Sequence, residues 1–143
     1  MVVETDIIIR LVLAALIGSV LGFERKVHNR PGGTRAHALV CLGSTLFTIT
    51  SLGFDGAADP SRIAAGIVTG IGFLGAGTIF RDKNNVRGLT TAASIWAVAG
   101  VGLAIGTGAL FIAAVATVAM LITLELGRLQ ATILGKKRKY NTG

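Results

Sequence analysis

Five apolar runs divide the chain of 143 residues, and charged positions lie almost entirely between them. The runs extend over about Ile7 to Phe23, His37 to Phe54, Pro60 to Phe80, Gly88 to Ile105 and Ala109 to Leu126. Each is close to the roughly 20 residues with which an α-helix crosses ~30 Å of hydrocarbon. The pattern predicts an all-α membrane protein. We expect a bundle of five transmembrane helices over residues 1–127, followed by a short basic tail, 128–143.

Turn-forming residues mark most of the boundaries. Proline and two glycines at 31–33 interrupt a helix between the first two runs. Asp59 followed by Pro60 favours a helix start, since the carboxylate can cap free amides and proline suits the first helical position. The Gly-Thr-Gly turn at 106–108 has no charge beside it, so a bundle of four spans remains the alternative there.

The composition agrees with a membrane protein. Apolar residues make up 52% of the chain and charged residues only 15%, which is too few for the surface of a soluble domain. The formal charge of +7 lies in short clusters between apolar runs. We therefore expect no nucleic-acid partner, because such binding requires a basic stripe on a soluble face. The single cysteine, Cys41, is expected to be a buried hydrophobe.

The distribution of cations predicts the topology. Twelve of the fourteen lysines and arginines lie in the first connection, the third connection and the tail, and five spans place these three segments on one side. The positive-inside rule makes that side cytoplasmic, with the N-terminus outside and the C-terminus inside.

The glycines of the third run pose a separate question. The spacing Gly70-x-Gly72-x-x-Gly75 matches a dinucleotide fingerprint, but no strand precedes it and it lies inside an apolar run. In a membrane helix, small residues instead permit close backbone contact. The alternative is that this segment unwinds within the membrane and offers carbonyl groups to an ion.

Helix packing through glycine is our preferred interpretation. Gly66, Gly70 and Gly77 fall on one face of a helix, with other small residues opposite, so the third helix is predicted to be central. Gly18 and Gly22 of the first run are the expected partners.

In the first and third connections, acidic, histidine and hydroxyl residues accompany the cations. Orientation in the membrane requires only the cations, so the other residues need a different explanation. The two connections are either solvated loops or one cytoplasmic site for an anionic group or a partner protein. If they form one site, we expect Glu24 to pair with Arg35 or Arg87 across the loops. The candidate cluster comprises Glu24, Arg25, Arg35, His37, Arg81, Asp82, Arg87, Thr90, Thr91 and Trp96.

At the other side, Arg10 and Arg62 lie near the outer ends of their spans. They either extend to the interface or pair with Asp6, Asp55 or Asp59 around an outer vestibule. Asp59 and Arg62 are the candidate vestibule residues.

Motifs for catalysis and metal binding are missing from the sequence. It contains no HExxH, no GxSxG and no paired carboxylates at useful spacing. We expect a protein that is not an enzyme and has no cofactor or metal site. A magnesium pathway would have to use carbonyl and hydroxyl oxygens alone, although magnesium sites usually include carboxylates.

The stretches "GFER", "RPGGTRAHALVCLG", "DPSRIAAGIVTGIGFLGAGTIFR" and "VRGLTTAASIWAVAGVGLAIGTG" closely resemble the MgtC/SapB family of bacterial inner-membrane proteins, over about residues 7–126. The resemblance implies a small multi-spanning domain in the inner (plasma) membrane. Virulence-associated members are linked to survival in macrophages and to growth at low magnesium. One such member is understood to restrain the proton-driven ATP synthase by contact.

The resemblance also implies which positions matter. The matching motif residues are Glu24, Arg25, Arg35, Arg62, Arg81, Arg87, Thr90, Thr91 and Trp96. The chain departs from the family at one motif position. Family members often have Arg-Thr-His, whereas this chain has Ala36 in place of the threonine. The virulence member carries a soluble C-terminal domain, in place of which we expect only the basic tail.

The expected partners follow from these readings. We expect a homodimer or another homo-oligomer, contacts with other membrane proteins, of which the ATP synthase is one candidate, and anionic lipids at the tail. The tail's consecutive cations, Lys136 to Lys139, are expected to hold lipid head groups.

The topology can be tested by labelling. A cysteine placed at Asn29 or Lys137 should resist an impermeant thiol reagent in intact cells, because both positions are predicted to face the cytoplasm. A cysteine at Ala57 should react. Labelling from outside of the cysteine that replaces Lys137 would contradict the arrangement of five spans.

Overall fold

The computed structural model describes residues 4–53, 59–83 and 85–133, with side chains described as far as residue 127. Within these residues the chain forms five helices and one short β-hairpin. The elements are α1 (Glu4–Val27), α2 (Thr34–Leu52), α3 (Ser61–Ala76), β1 (Phe80–Asp82), β2 (Asn85–Arg87), α4 (Leu89–Gly106) and α5 (Leu110–Ile133).

The boundary in doubt at residues 106–108 is a real turn. Helix α4 ends at Gly106 and α5 begins at Leu110. Gly108 has φ of +84°, a left-handed conformation that glycine adopts without a steric penalty. Five helices, rather than four, are therefore confirmed for the described part of the chain. The basic tail beyond residue 133 lies outside the described residues.

The third apolar run is only partly helical. Helix α3 ends at Ala76, where Thr78 donates its hydroxyl to the carbonyl of Gly75 at 2.8 Å. The chain then forms an antiparallel hairpin in which Phe80 pairs with Arg87. Gly88 follows with φ of +90°, and a Cβ atom there would overlap the carbonyl oxygen of Thr78. The hairpin thus connects the end of α3 closely to the start of α4.

Helix α4 is the centre of the bundle. It contacts α2, α3, α5 and α1, while α2 lies between α1 and α4. The buried core joins Leu21 of α1 and Cys41 of α2 to Val98, Val101 and Ile105 of α4.

Glycines allow α1 and α4 to approach the backbone of α2. A Cβ atom at Gly18 would lie 2.7 Å from the carbonyl oxygen of His37, and one at Gly22 would lie 2.6 Å from Cα of Thr34. On the other side of α2, a Cβ at Gly106 would lie 2.5 Å from Cβ of Thr48. These distances are too short for any side chain.

The predicted central position of α3 is wrong. A Cβ atom at Gly66 or Gly70 would have no described atom within 4 Å, other than those of its own chain neighbours and helix backbone. Gly77 is the C-cap of α3 rather than a packing residue. Helix α3 instead rests on α4, where a Cβ atom at Gly75 would lie 3.5 to 3.7 Å from atoms of Ala92, and it makes fewer contacts with α2. The number of glycines in a helix does not determine which helix has neighbours on both sides.

The fingerprint segment of α3 is helical throughout. Residues 66–76 continue the helix that begins at Ser61, so the described backbone does not unwind between Gly70 and Gly75.

Three of the described helices are long and apolar enough to cross a membrane: Glu4–Val27, Leu89–Gly106 and Leu110–Gly127. Helix α3 is a shorter apolar helix of 16 residues. The faces of α1, α3 and α5 that point away from the bundle carry exposed large hydrophobic side chains, among them Phe73 and Phe111, which are 81% and 80% exposed. Such surfaces suit contact with lipid.

Two glycines of α4 offer a matched test of this packing. Gly102→Ala should lower stability by about 1–3 kcal/mol, because its methyl group would overlap the carbonyl oxygen of Cys41. Gly100→Ala should leave stability unchanged or raise it, since no described atom lies within 4 Å of the added carbon beyond the helix's own backbone and chain neighbours. Thermal unfolding of the purified protein in detergent measures both. Equal midpoints for the two variants would contradict close contact between α2 and α4.

Candidate functional site

We call one end of the bundle the hairpin end, because it holds the connection 28–33 and the β-hairpin 80–87. At this end, α1, α2 and α4 meet in a buried polar cluster. Arg25 is only 4% exposed, and one of its guanidinium nitrogens donates to Oγ1 of Thr91 at 3.4 Å. His37, which is fully buried, lies with Nε2 3.1 Å from Oγ of Ser94. Ser94 donates in turn to the carbonyl of Thr91 at 2.8 Å.

The connection between α1 and α2 closes over this cluster. Gly32 has φ of +73°, and a Cβ atom there would lie 2.9 Å from Cγ2 of Thr91 and 3.3 Å from Cε1 of His37. Only glycine fits this conformation and this space. The sequence Pro31-Gly32-Gly33 is therefore more than a helix breaker, because it brings the first connection against the start of α4.

The described side-chain contacts of Glu24 include two close neighbours in sequence. Its carboxylate lies 3.7 Å from the guanidinium of Arg25 and 3.4 Å from Nδ1 of His28, which is also close to the Glu24 carbonyl. The predicted ion pair of Glu24 with Arg35 or Arg87 is not among the ion pairs of the described residues. Both arginines are exposed, whereas the Glu24 side chain is only 9% exposed. In the described structure, α1 and the first connection meet the start of α4 at Thr91, through the hydrogen bond of Arg25 and the close approach of Gly32.

The candidate cluster thus separates into two groups. Glu24, Arg25, His37 and Thr91 lie in or beside the buried cluster. The remaining members, Arg35, Arg81, Asp82, Arg87, Thr90 and Trp96, are exposed. Lys26, Arg30 and Lys83 are exposed at the same end, so the surface there is strongly basic.

A row of hydroxyl groups on α2 was not predicted from the sequence. Ser44 donates to the carbonyl of Ala99 at 2.7 Å, and Thr45 donates to the carbonyl of Gly102 at 2.8 Å. Thr48 and Ser51 continue the row, and all four residues are buried. The available signal was the spacing inside an apolar run, since Thr48 follows Ser44 by four residues and Thr45 by three, and Ser51 follows Thr48 by three, which places them on one side of the helix. Ser94 of the buried cluster was missed as well.

At the opposite end, Arg10 caps the C-terminus of α4. Its guanidinium donates to the carbonyl of Gly106 at 2.8 Å and pairs with Asp6 at 2.6 Å. A cation is favourable there because the last carbonyl groups of a helix carry partial negative charge. Of the two readings of Arg10, pairing with Asp6 is therefore what the structure contains, while Asp55 lies outside the described residues.

The residues of the candidate vestibule do not form an ion pair with each other. Asp59 accepts hydrogen bonds from the hydroxyl and the N–H of Ser61, at 2.7 and 2.9 Å. These bonds lower the pKa of the Asp59 carboxyl. Helix α3 begins at Ser61 with Pro60 as its N-cap residue, one position later than predicted. The Arg62 side chain is exposed and lines a groove between α2 and α3.

Among the described residues, no group of three or more His, Cys, Asp or Glu side chains could hold a metal ion. Several hydroxyl, imidazole and guanidinium groups of the interior bond across helices, among them Arg25, His37, Ser44 and Thr45.

A bundle of apolar helices, joined inside by polar bonds and apolar on its outer faces, defines a membrane protein. The chain belongs to the MgtC family, whose pattern matches residues 11–132.

Named relatives agree with this assignment. Protein MgtC of Brucella abortus (strain 2308) is 50% identical over 105 residues, which are 73% of this chain and 44% of that protein. Protein MgtC of Salmonella typhimurium is 46% identical over 114 residues, covering 80% and 49% of the two chains. The Escherichia coli K12 protein named "Putative magnesium transporter YhiD" is 43% identical over 129 residues, covering 85% and 60%. The chain thus spans about half the length of these relatives. No solved structure matches it.

Neighbouring threonines test the buried cluster. Thr91→Val should lower stability by about 1–3 kcal/mol, because it leaves the buried Arg25 guanidinium without this acceptor. Thr90→Val makes the same chemical change at an exposed position and should have little effect. Thermal unfolding in detergent would compare the two. A larger loss for Thr90→Val would contradict the cluster as described.

Proposed function

We propose that this chain is a non-enzymatic regulatory protein of the bacterial inner membrane, acting through contacts with other membrane proteins at its hairpin end. In this proposal the hairpin end faces the cytoplasm, as the distribution of cations predicts. The protein serves adaptation to low magnesium or to stress inside a host. The proton-driven ATP synthase is the partner suggested by the family resemblance.

The observation that carries the proposal is the division of the hairpin end into a buried and an exposed layer. Arg25, His37 and Thr91 hold three helices together below, while six exposed cations surround them: Lys26, Arg30, Arg35, Arg81, Lys83 and Arg87. Within the described residues of the connection 28–33 and the hairpin 80–87, Asp82 is the one carboxylate. A rigid basic surface of this kind suits recognition of an acidic patch on a partner protein.

A small ion transporter or channel, for magnesium, potassium or protons, is the second candidate. The buried row of Ser44, Thr45, Thr48 and Ser51 favours it, since these hydroxyls line α2 through the middle of the bundle. The name of the Escherichia coli relative points the same way. Against it, the hydroxyls of Ser44 and Thr45 already bond to carbonyl groups of α4, so an ion would have to displace those helix contacts.

The two candidates are separated by reconstitution. The purified protein should carry no flux of magnesium, potassium or protons across liposome membranes. When it is incorporated together with purified ATP synthase, proton pumping driven by ATP should decrease. Ion flux by the protein alone would favour the transporter and contradict the contact mechanism.

The double variant Arg81→Glu, Arg87→Glu tests the surface directly. Both residues lie on the exposed hairpin, so the bundle should fold as before while inhibition of the ATP synthase is lost. Arg81→Lys, Arg87→Lys keeps the charge and should retain inhibition. If the two double variants inhibit equally, the basic surface is not the contact site.

A further inference from the structure

An apolar groove of about 510 Å³ runs along the surface between α2 and α3. Its walls include Leu39, Gly43 and Phe47 of α2, and Ile67, Gly70 and Leu74 of α3. The groove exists because α3 makes few contacts with α2 and presents glycine toward it. A Cβ atom at Gly70 would meet no described atom within 4 Å beyond its chain neighbours and helix backbone, so the position offers open space.

One end of the groove is charged. Among the described residues that line the groove, Arg62 is the one with a charged side chain. It lies in the first turn of α3. No ion pair of Arg62 occurs within the described part of the chain. The carboxylate of Asp59 is nearby in sequence but accepts its hydrogen bonds from Ser61.

The length of the groove matches one leaflet of a bilayer. Arg62 and Leu74 are twelve residues apart in a continuous helix, which corresponds to a rise of roughly 18 Å. One leaflet contributes about half of the ~30 Å hydrocarbon thickness. An acyl chain that begins at the level of Arg62 would therefore follow α3 for nearly its whole length.

We propose that this groove binds one phospholipid, with an acyl chain along Gly66 and Gly70 and the phosphate bound by Arg62. The apolar walls accept the chain, and the glycines leave room for its methylene groups. A guanidinium group offers a planar pair of donors to phosphate oxygens, and its positive charge complements the negative charge of the phosphate. The apolar walls alone could not bind the head group. The lipid belongs to the leaflet at the end of the bundle opposite the hairpin end. The site is independent of the function proposed for the basic surface.

Native mass spectrometry of the full chain in mild detergent tests the proposal. The protein is first stripped of lipid and then titrated with phosphatidylglycerol. Wild type should bind one lipid tightly. Gly70→Leu should weaken binding by about tenfold or more, because the new side chain fills the groove, and Arg62→Gln should weaken it by a similar factor through loss of a charge-assisted bond.

Gly72→Leu is the matched control. It makes the same substitution on the same helix, also into open space, but at a position outside the groove lining, and it should bind lipid as wild type does. Equal unfolding midpoints for the two leucine variants would show that both fold.

Three outcomes would overturn the proposal. Unchanged binding by Gly70→Leu would exclude the groove as the site of the acyl chain. Unchanged binding by Arg62→Gln would exclude the phosphate contact. A changed oligomeric mass of Gly70→Leu with unchanged lipid binding would show that a second copy of the chain occupies the groove.

Discussion

The structure depends on near contact between backbones at the two sides of α2. In lipid the hydrophobic effect does not drive helices together, so their association relies on dispersion contacts and polar bonds at short range. Gly18 and Gly22 of α1 and Gly102 and Gly106 of α4 supply that range. Because α4 lies so close to α2, its carbonyl groups come within reach of the Ser44 and Thr45 hydroxyls. The polar bonds of the interior are therefore a consequence of the glycine contacts.

The same closeness explains how a charged residue is tolerated inside the bundle. Arg25 is accommodated near the end of α1 because Glu24 lies beside it and Thr91 faces it from α4. A buried guanidinium without such groups would be costly. Buried polar groups of this kind fix the relative rotation of helices, since a rotation of α1 by one residue would remove Arg25 from Thr91. The exposed cations do not hold helices together, and they are available for contacts outside the bundle.

Hydrophobic runs, prolines and glycines were sufficient to predict five helices and most of their ends, because those features act locally. The position of α3 was predicted wrongly, since glycine on a helix face permits contact without supplying a partner. A better guide was the polar row of α2, in which the Ser44 and Thr45 hydroxyls find their acceptors on α4. Similarly, Arg25 and Arg87 were both predicted as members of one candidate cluster, and no local feature of the sequence distinguishes them. Arg25 is buried and Arg87 exposed because of helix rotation and the hairpin, which depend on contacts distant in sequence.

The cap that Arg10 places on Gly106 joins positions 96 residues apart. Contacts of such long sequence separation form late, because the intervening chain must first be brought together. During synthesis, α1 enters the membrane before α4 has been made. Of the two described partners of Arg10, only Asp6 is present during that interval. When the bundle is complete, this one arginine keeps its local ion pair with Asp6 and adds a bond to the last turn of the central helix.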